Sequence, residues 1–170
     1  MKIYSAKEYK LRMMNPGVKM ITAIFLVMVL GGYVTGFAMG LMKAGFGAEA
    51  LADYYCGNEL QGIYPKSALE LMEVTHFHLL SMPIVFLIVG HLMMMTYFHL
   101  RTRVIVVALS FLGMVLDLLG PWLVRFVSPA FVYLKLFGSG IFGITFLLMI
   151  FAEVYEIYFR RDPYELTDLV

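Results

Sequence analysis

Residues 67–100 read SALELMEVTHFHLLSMPIVFLIVGHLMMMTYFHL, and this stretch decides the fold. It opens on Ser67 and Glu70, the spacing of a capping box, in which the serine and the glutamate each satisfy a free N–H at a helix start. Apolar residues then dominate up to Leu100, longer than the roughly 20 residues that cross the hydrocarbon core of a bilayer. Water is absent there, so backbone groups must pair within the segment, and helix is the default. The stretch therefore predicts a membrane-spanning helix over about 68–100. Three further apolar blocks predict helices over about 18–42, 104–126 and 130–159. The expected fold class is all-α: an integral membrane, four-helix transmembrane bundle forming a single membrane domain over 1–170.

The bulk composition agrees. The 170 residues are 61% hydrophobic and only 15% charged, and the mean hydropathy is +0.82, values that leave too little polar surface for a soluble domain. The first apolar block is too long for the core of a signal peptide, so it reads as a retained helix. A net charge of +1 gives no reason to expect nucleic acid as a partner. Cys56 is the single cysteine, which excludes an internal disulfide, and Tyr-Cys-Gly-Asn lacks the attachment pattern of a c-type haem.

Between the blocks, residues 43–67 form a polar loop containing Gly45, Gly47, Gly57, Gly62 and Pro65, and residues 48–55 within it predict a short interfacial helix. Arg101-Thr102-Arg103 reads as a tight turn, Ser128-Pro129 as a break, and Arg160 to Pro163 as the stop of the last helix. The basic residues sort by side. Lys2, Lys7, Lys10, Arg12, Lys19, Arg101, Arg103, Arg160 and Arg161 flank the chain ends and the second turn, whereas Lys43, Lys66, Arg125 and Lys135 lie opposite, with Glu49, Asp53 and Glu59 in the loop and Glu70 just after it. Lysine and arginine accumulate on the cytoplasmic side, so an even number of spans with both termini cytoplasmic is expected. The 43–67 loop is then extracytoplasmic, and the setting is a bacterial inner membrane.

Two sets of glycines stand out. Gly32, Gly36 and Gly40 form a four-residue repeat that leaves a groove for another helix, or for a flat ring, to approach the backbone. Gly138, Gly140 and Gly143 form a second cluster with the same two readings.

All four histidines, His76, His78, His91 and His99, fall in the 68–100 block. Ionisable side chains inside a membrane are expensive and face a bundle interior or a functional site. His99, beside Arg101, reads as interfacial. His76 and His91 are fifteen residues apart, which puts them within about 60° of one helix face and about 22 Å apart along the axis. His78 points nearly the opposite way from His76. Pro83 lies between them and can kink the helix, which keeps His78 as an alternative to His76.

This pattern resembles the paired-histidine helix of membrane di-haem cytochromes b, over one helix and by spacing. The resemblance implies one or two b-type haems, with His76 or His78 and His91 as axial ligands and Gly90 leaving room for a ring edge. It also implies electron exchange between quinol and a partner protein. The chain departs from the pattern because no second helix carries a histidine. The opposing ligand must come from a second copy, from another membrane or redox subunit, or from a methionine among Met20, Met28, Met39, Met114 and Met149. Arg125, Lys135 or Lys66 on one side, and Lys19, Arg101 or Arg103 on the other, would meet the propionates.

Asp117 is an acid inside the third span. It reads either as the partner of Lys135 or Arg125, or as a proton acceptor for quinol in a site walled by Trp122 or Tyr133, with Glu73 nearby. Glu153 and Glu156 read as solvated or paired with Arg101, Arg103 or Arg160. A soft metal ion at His76, His78 and Met93–Met95 is a weaker reading. A non-redox anchor of a larger complex, or a metal or proton transporter, would account for the four helices without haem. The bilayer is the one partner that every reading shares.

Overall fold

The computed structural model describes residues 10–160. Lys2, Lys7, Arg161, Asp162 and Pro163, used above, lie outside the described residues. The described residues are helical almost throughout. A 3-10 turn at Leu11–Met13 leads into α1 (Pro16–Ala44), and α2 (Ala48–Cys56) with a 3-10 turn at Glu59–Gln61 forms the polar loop. α3 (Ala68–Met94), α4 (Leu100–Phe126) and α5 (Val132–Tyr158) follow, with a 3-10 turn at Pro129–Phe131 before α5. α1, α3, α4 and Pro129–Tyr158 are each long and apolar enough to cross a bilayer.

Local chemistry sets the boundaries. The Asn15 side chain accepts the Val18 N–H at 2.9 Å, with Pro16 in the first turn, so α1 starts slightly before position 18. Proline suits that place because its missing N–H would be unpaired anyway. The capping box is formed: Ser67 Oγ accepts the Glu70 N–H at 3.2 Å, and Glu70 accepts the Ser67 N–H at 2.8 Å. α3 runs unbroken through Pro83.

Two boundaries differ from the sequence reading. α3 ends at Met94 rather than near 100, and Arg101 and Arg103 lie within α4 rather than making the turn. The Thr96 hydroxyl donates to Met93 O at 2.8 Å, and the Arg103 guanidinium donates to Met94 O. These bonds satisfy carbonyls left open at a helix end. The arginine that helps to end α3 is therefore carried by the next helix, a relation that hydropathy along one strand of sequence does not display. His99 consequently sits at the cap of α4, and three of the four histidines remain on α3.

α4 and α5 form the closest pair, and glycines explain why. A Cβ on Gly113 would meet Phe142 N at 2.6 Å, one on Gly120 would meet Lys135 Cβ at 2.7 Å, and one on Gly138 would meet Leu116 Cβ at 2.6 Å. Small residues let helix backbones approach in lipid, where no hydrophobic force drives helices together. Between the glycines, Ser110 Oγ donates to Thr145 Oγ1 at 2.7 Å. α3 joins this pair through Phe86, stacked on Phe142 and Phe146 at ring-centre distances of 5.1 and 4.9 Å. Gly90 faces Val107 of α4, 3.3 Å from a Cβ built on it, so it serves helix packing rather than leaving room for a ring beside His91.

α1 is the outlier. Leu26 is its only buried residue among those described, and its main anchor is Tyr33, packed on Gly143 and on the rings of Phe142 and Phe146. Nothing lies within 4 Å of a Cβ added to Gly32, Gly36 or Gly40, so that groove is open within the chain. Gly140 is open as well, whereas Gly138 and Gly143 are used in packing.

Overpacking a tight contact costs about 1–3 kcal/mol. Gly113→Leu should therefore lower the thermal unfolding midpoint of the purified chain in detergent, whereas Gly36→Leu should leave it within experimental error of the native value.

Candidate functional site

The histidines of α3 do not face the bundle interior. His76 and His91 are both exposed. They belong to one outward stripe with Glu73, Leu80, Ile84 and Leu87, all exposed, at successive spacings of three or four residues that keep one helix face. His78 is half-buried and its Nδ1 lies 2.7 Å from Val74 O, a contact within its own helix. The helix therefore places His76 and His91 together on one face and turns His78 from it.

Among the described residues no candidate methionine is shown opposite that face. Met114 and Met149 are buried in the core at 5% and 0% exposure, on the inner side of the bundle, and Met20, Met28 and Met39 are exposed on α1. Among the described residues no group of three or more His, Cys, Asp or Glu is placed to hold a metal ion. The imidazoles suit axial ligation in kind and spacing, but this chain offers one ligand per site.

Asp117 is engaged. Lys135 Nζ donates to Asp117 Oδ1, Ser139 Oγ donates to the same oxygen, and Lys135 reaches Ser139 Oγ at 3.0 Å. The two charged side chains are 19% and 14% exposed, so the pair is largely withdrawn from solvent. Of the two partners considered for Asp117, Lys135 is the one in contact. Arg125 turns the other way and donates from Nε to Lys66 O at 2.8 Å. Lys66 pairs with Glu70 at 3.0 Å and lies 4.8 Å from the Tyr54 ring centre, and the hydrogen bond to Glu70 is the main reason its ammonium is held above the usual lysine range. Burial pushes the Tyr55 hydroxyl above its ordinary value, with a smaller push from Tyr54. Trp122 Nε1 donates to Thr75 Oγ1 at 2.9 Å, locking α4 to α3 one residue from His76. Tyr133 is 69% exposed and walls nothing.

Glu153 departs most from the sequence reading, whereas Glu156 makes one of the expected pairings but is buried. They are 0% and 1% exposed, so neither is solvated. Glu156 pairs with Arg160 at 3.6 Å and accepts the Tyr97 N–H at 3.3 Å. Both carboxylate oxygens of Glu153 lack a hydrogen-bond partner. The 3.6-residue period carries the signal that was available: Met149, Ile150, Glu153, Glu156 and Ile157 share one face, and the apolar members of that face are core.

A family of transmembrane helical domains, Aq_1264_TM, matches residues 45–164. The chain belongs to this family. The Aq_1264_TM match covers α2 to α5 and begins after α1, the helix that packs least in the bundle. As a member, the chain is an integral membrane protein in contact with the lipid bilayer. No curated protein and no solved structure matches it.

Removing one partner from a buried ion pair leaves an uncompensated charge, at a cost of about 3–5 kcal/mol when burial is complete. The residual exposure here brings Lys135→Met down to or just below that lower bound, about 2–3 kcal/mol. Chemical unfolding in mixed micelles should show that loss, and Asp117→Leu added to Lys135→Met should restore most of it.

Proposed function

We propose that this chain is a membrane subunit of an electron-transfer complex, holding b-type haem against the outward face of α3 and passing electrons between quinol and a partner protein. The observation that supports the reading is the joint exposure of His76 and His91 on one stripe of a spanning helix. Ionisable groups facing acyl chains are costly, so a face with two imidazoles and Glu73 calls for a cover other than lipid. Bound haem would supply one-electron redox chemistry at that face. The residues of this chain contribute imidazole nitrogen from His76 and His91 and a wall of Leu80, Ile84 and Leu87 that excludes water. Since the open face has no second ligand of its own, the partner that covers it supplies the remaining one, whether a second copy or another subunit.

The basic residues Lys10, Arg12, Arg101, Arg103 and Arg160 gather at one end of the bundle, where Leu11 N–H donates to Met95 O at 3.2 Å and Tyr158 OH donates to Lys19 O at 3.4 Å. The positive-inside rule assigns this end to the cytoplasm and the α2 loop to the opposite side. Asp117 belongs to the ion pair in this reading, and quinol oxidation takes place at the partner interface.

A specific observation favours a second reading, a non-redox anchor. α1 offers an open glycine groove and little internal packing, as a helix reserved for a neighbouring subunit would.

A reduced-minus-oxidised visible spectrum of the protein, purified with its partners, separates the two. The haem reading predicts a b-type α band that is lost or shifted in His91→Ala. A colourless assembly, or a band unaffected by His76→Ala and His91→Ala alike, contradicts it and supports the anchor.

A further inference from the structure

Glu153 has no role in the scheme above, and its surroundings are unusual. It lies five residues before the end of α5 at Tyr158, about 7.5 Å along the axis, yet it is 0% exposed. The segment before α1 packs at this end of the bundle, with Leu11 and Ile157 in one core cluster. Leu11, also 0% exposed, is tied to Met95, and Lys10 Nζ donates to Thr96 O at 3.2 Å. One turn deeper, Met149 and Ile150 are 0% and 2% exposed. Neither oxygen of Glu153 has a hydrogen-bond partner.

Among the described residues, several other titratable and charged groups around this end are engaged with different atoms. Arg103 of α4 donates to Met94 O. From the leading segment, Lys10 donates to Thr96 O, and Arg12 donates to Tyr97 OH at 2.8 Å. Tyr97 also receives Arg160 over its ring at 4.2 Å. Lys19 of α1 meets Tyr158 through its backbone oxygen, and His91 of α3 is on the exposed face. Glu156, three residues from Glu153 and so on the same helix face, uses Oε2 for Tyr97 and Arg160, while its Oε1 is buried without a partner.

A buried carboxylate without hydrogen bonds or a counter-ion is far more costly than a neutral carboxyl in the same place. A second carboxyl one turn nearer water, with one oxygen unengaged, is the arrangement that can hand a proton inward. We propose that Glu153 is a proton-binding site of the membrane domain, filled from the basic side of the bundle through Glu156. A proton from water on that side reaches Glu156, passes to a Glu153 oxygen to give the neutral acid, and returns by the same route. The inference stands apart from the haem reading, because it uses no residue of the α3 stripe.

The test is infrared spectroscopy of the full chain in lipid nanodiscs at neutral pH, which reads the site without any haem. The native protein should show the C=O stretch of a protonated carboxyl, moving to lower frequency in deuterated water. Glu153→Gln should remove the band. Glu156→Gln should keep it but slow its deuteration by about 100-fold, the lower end of what a positioned proton-transfer group contributes. Glu153→Leu should also lack the band and should unfold at a temperature no lower than native, which gives the same comparison if the glutamine variant does not fold. Absence of the band, or its survival in Glu153→Gln or Glu153→Leu, overturns the site. Marked destabilisation in Glu153→Leu also overturns it, because a neutral acid without partners has no stabilising bond to lose. Unchanged deuteration in Glu156→Gln overturns the route.

Discussion

Close approach of α4 and α5 is the constraint on which the rest of the bundle depends. Gly113, Gly120 and Gly138 remove the side chains that would hold the two backbones apart, and in lipid such contact replaces the hydrophobic force that folds soluble bundles. With the seam closed, Lys135 and Ser139 reach Asp117, and Ser110 reaches Thr145. The polar groups of the seam are thus satisfied by the packing that buries them. α3 leans on the pair through Phe86 and Trp122, and α1 leans on α5 through Tyr33.

A bundle held along one seam leaves two faces open, one on α3 and one on α1. The α1 groove is formed by Gly32, Gly36 and Gly40, which lipid or a helix can cover equally well. The α3 face carries Glu73, His76 and His91, and this difference in chemistry is why the proposed haem is assigned to it. Toward the basic side α5 also carries Glu153, buried with neither carboxyl oxygen hydrogen-bonded.

Much of the fold was legible because the bilayer imposes a length and a backbone rule. The Ser67–Glu70 box and the apolar run after it locate the start of α3, and the four spans follow from length and composition. The α3–α4 turn was not legible, since Met93, Met94 and Met95 look continuous and the arginine that meets Met94 O is nine residues away. The shared face of His76 and His91 followed from helical period alone. Whether that face looked inward or outward depended on how α3 leans on α4 and α5, which one helix cannot report. Glu153 lies close in sequence to Arg160 and so resembles a solvated helix end, whereas the fold buries it completely.

The claim that binds these parts together is that the chemistry of α3 faces outward and is completed by a partner. Electron paramagnetic resonance of the oxidised protein tests it most directly, comparing native membranes with the chain purified free of partners. The account predicts low-spin, six-coordinate ferric haem in the assembly and loss of that signal when the partners are removed. No ferric haem signal in the assembly, or the same six-coordinate signal in the chain alone, would contradict it.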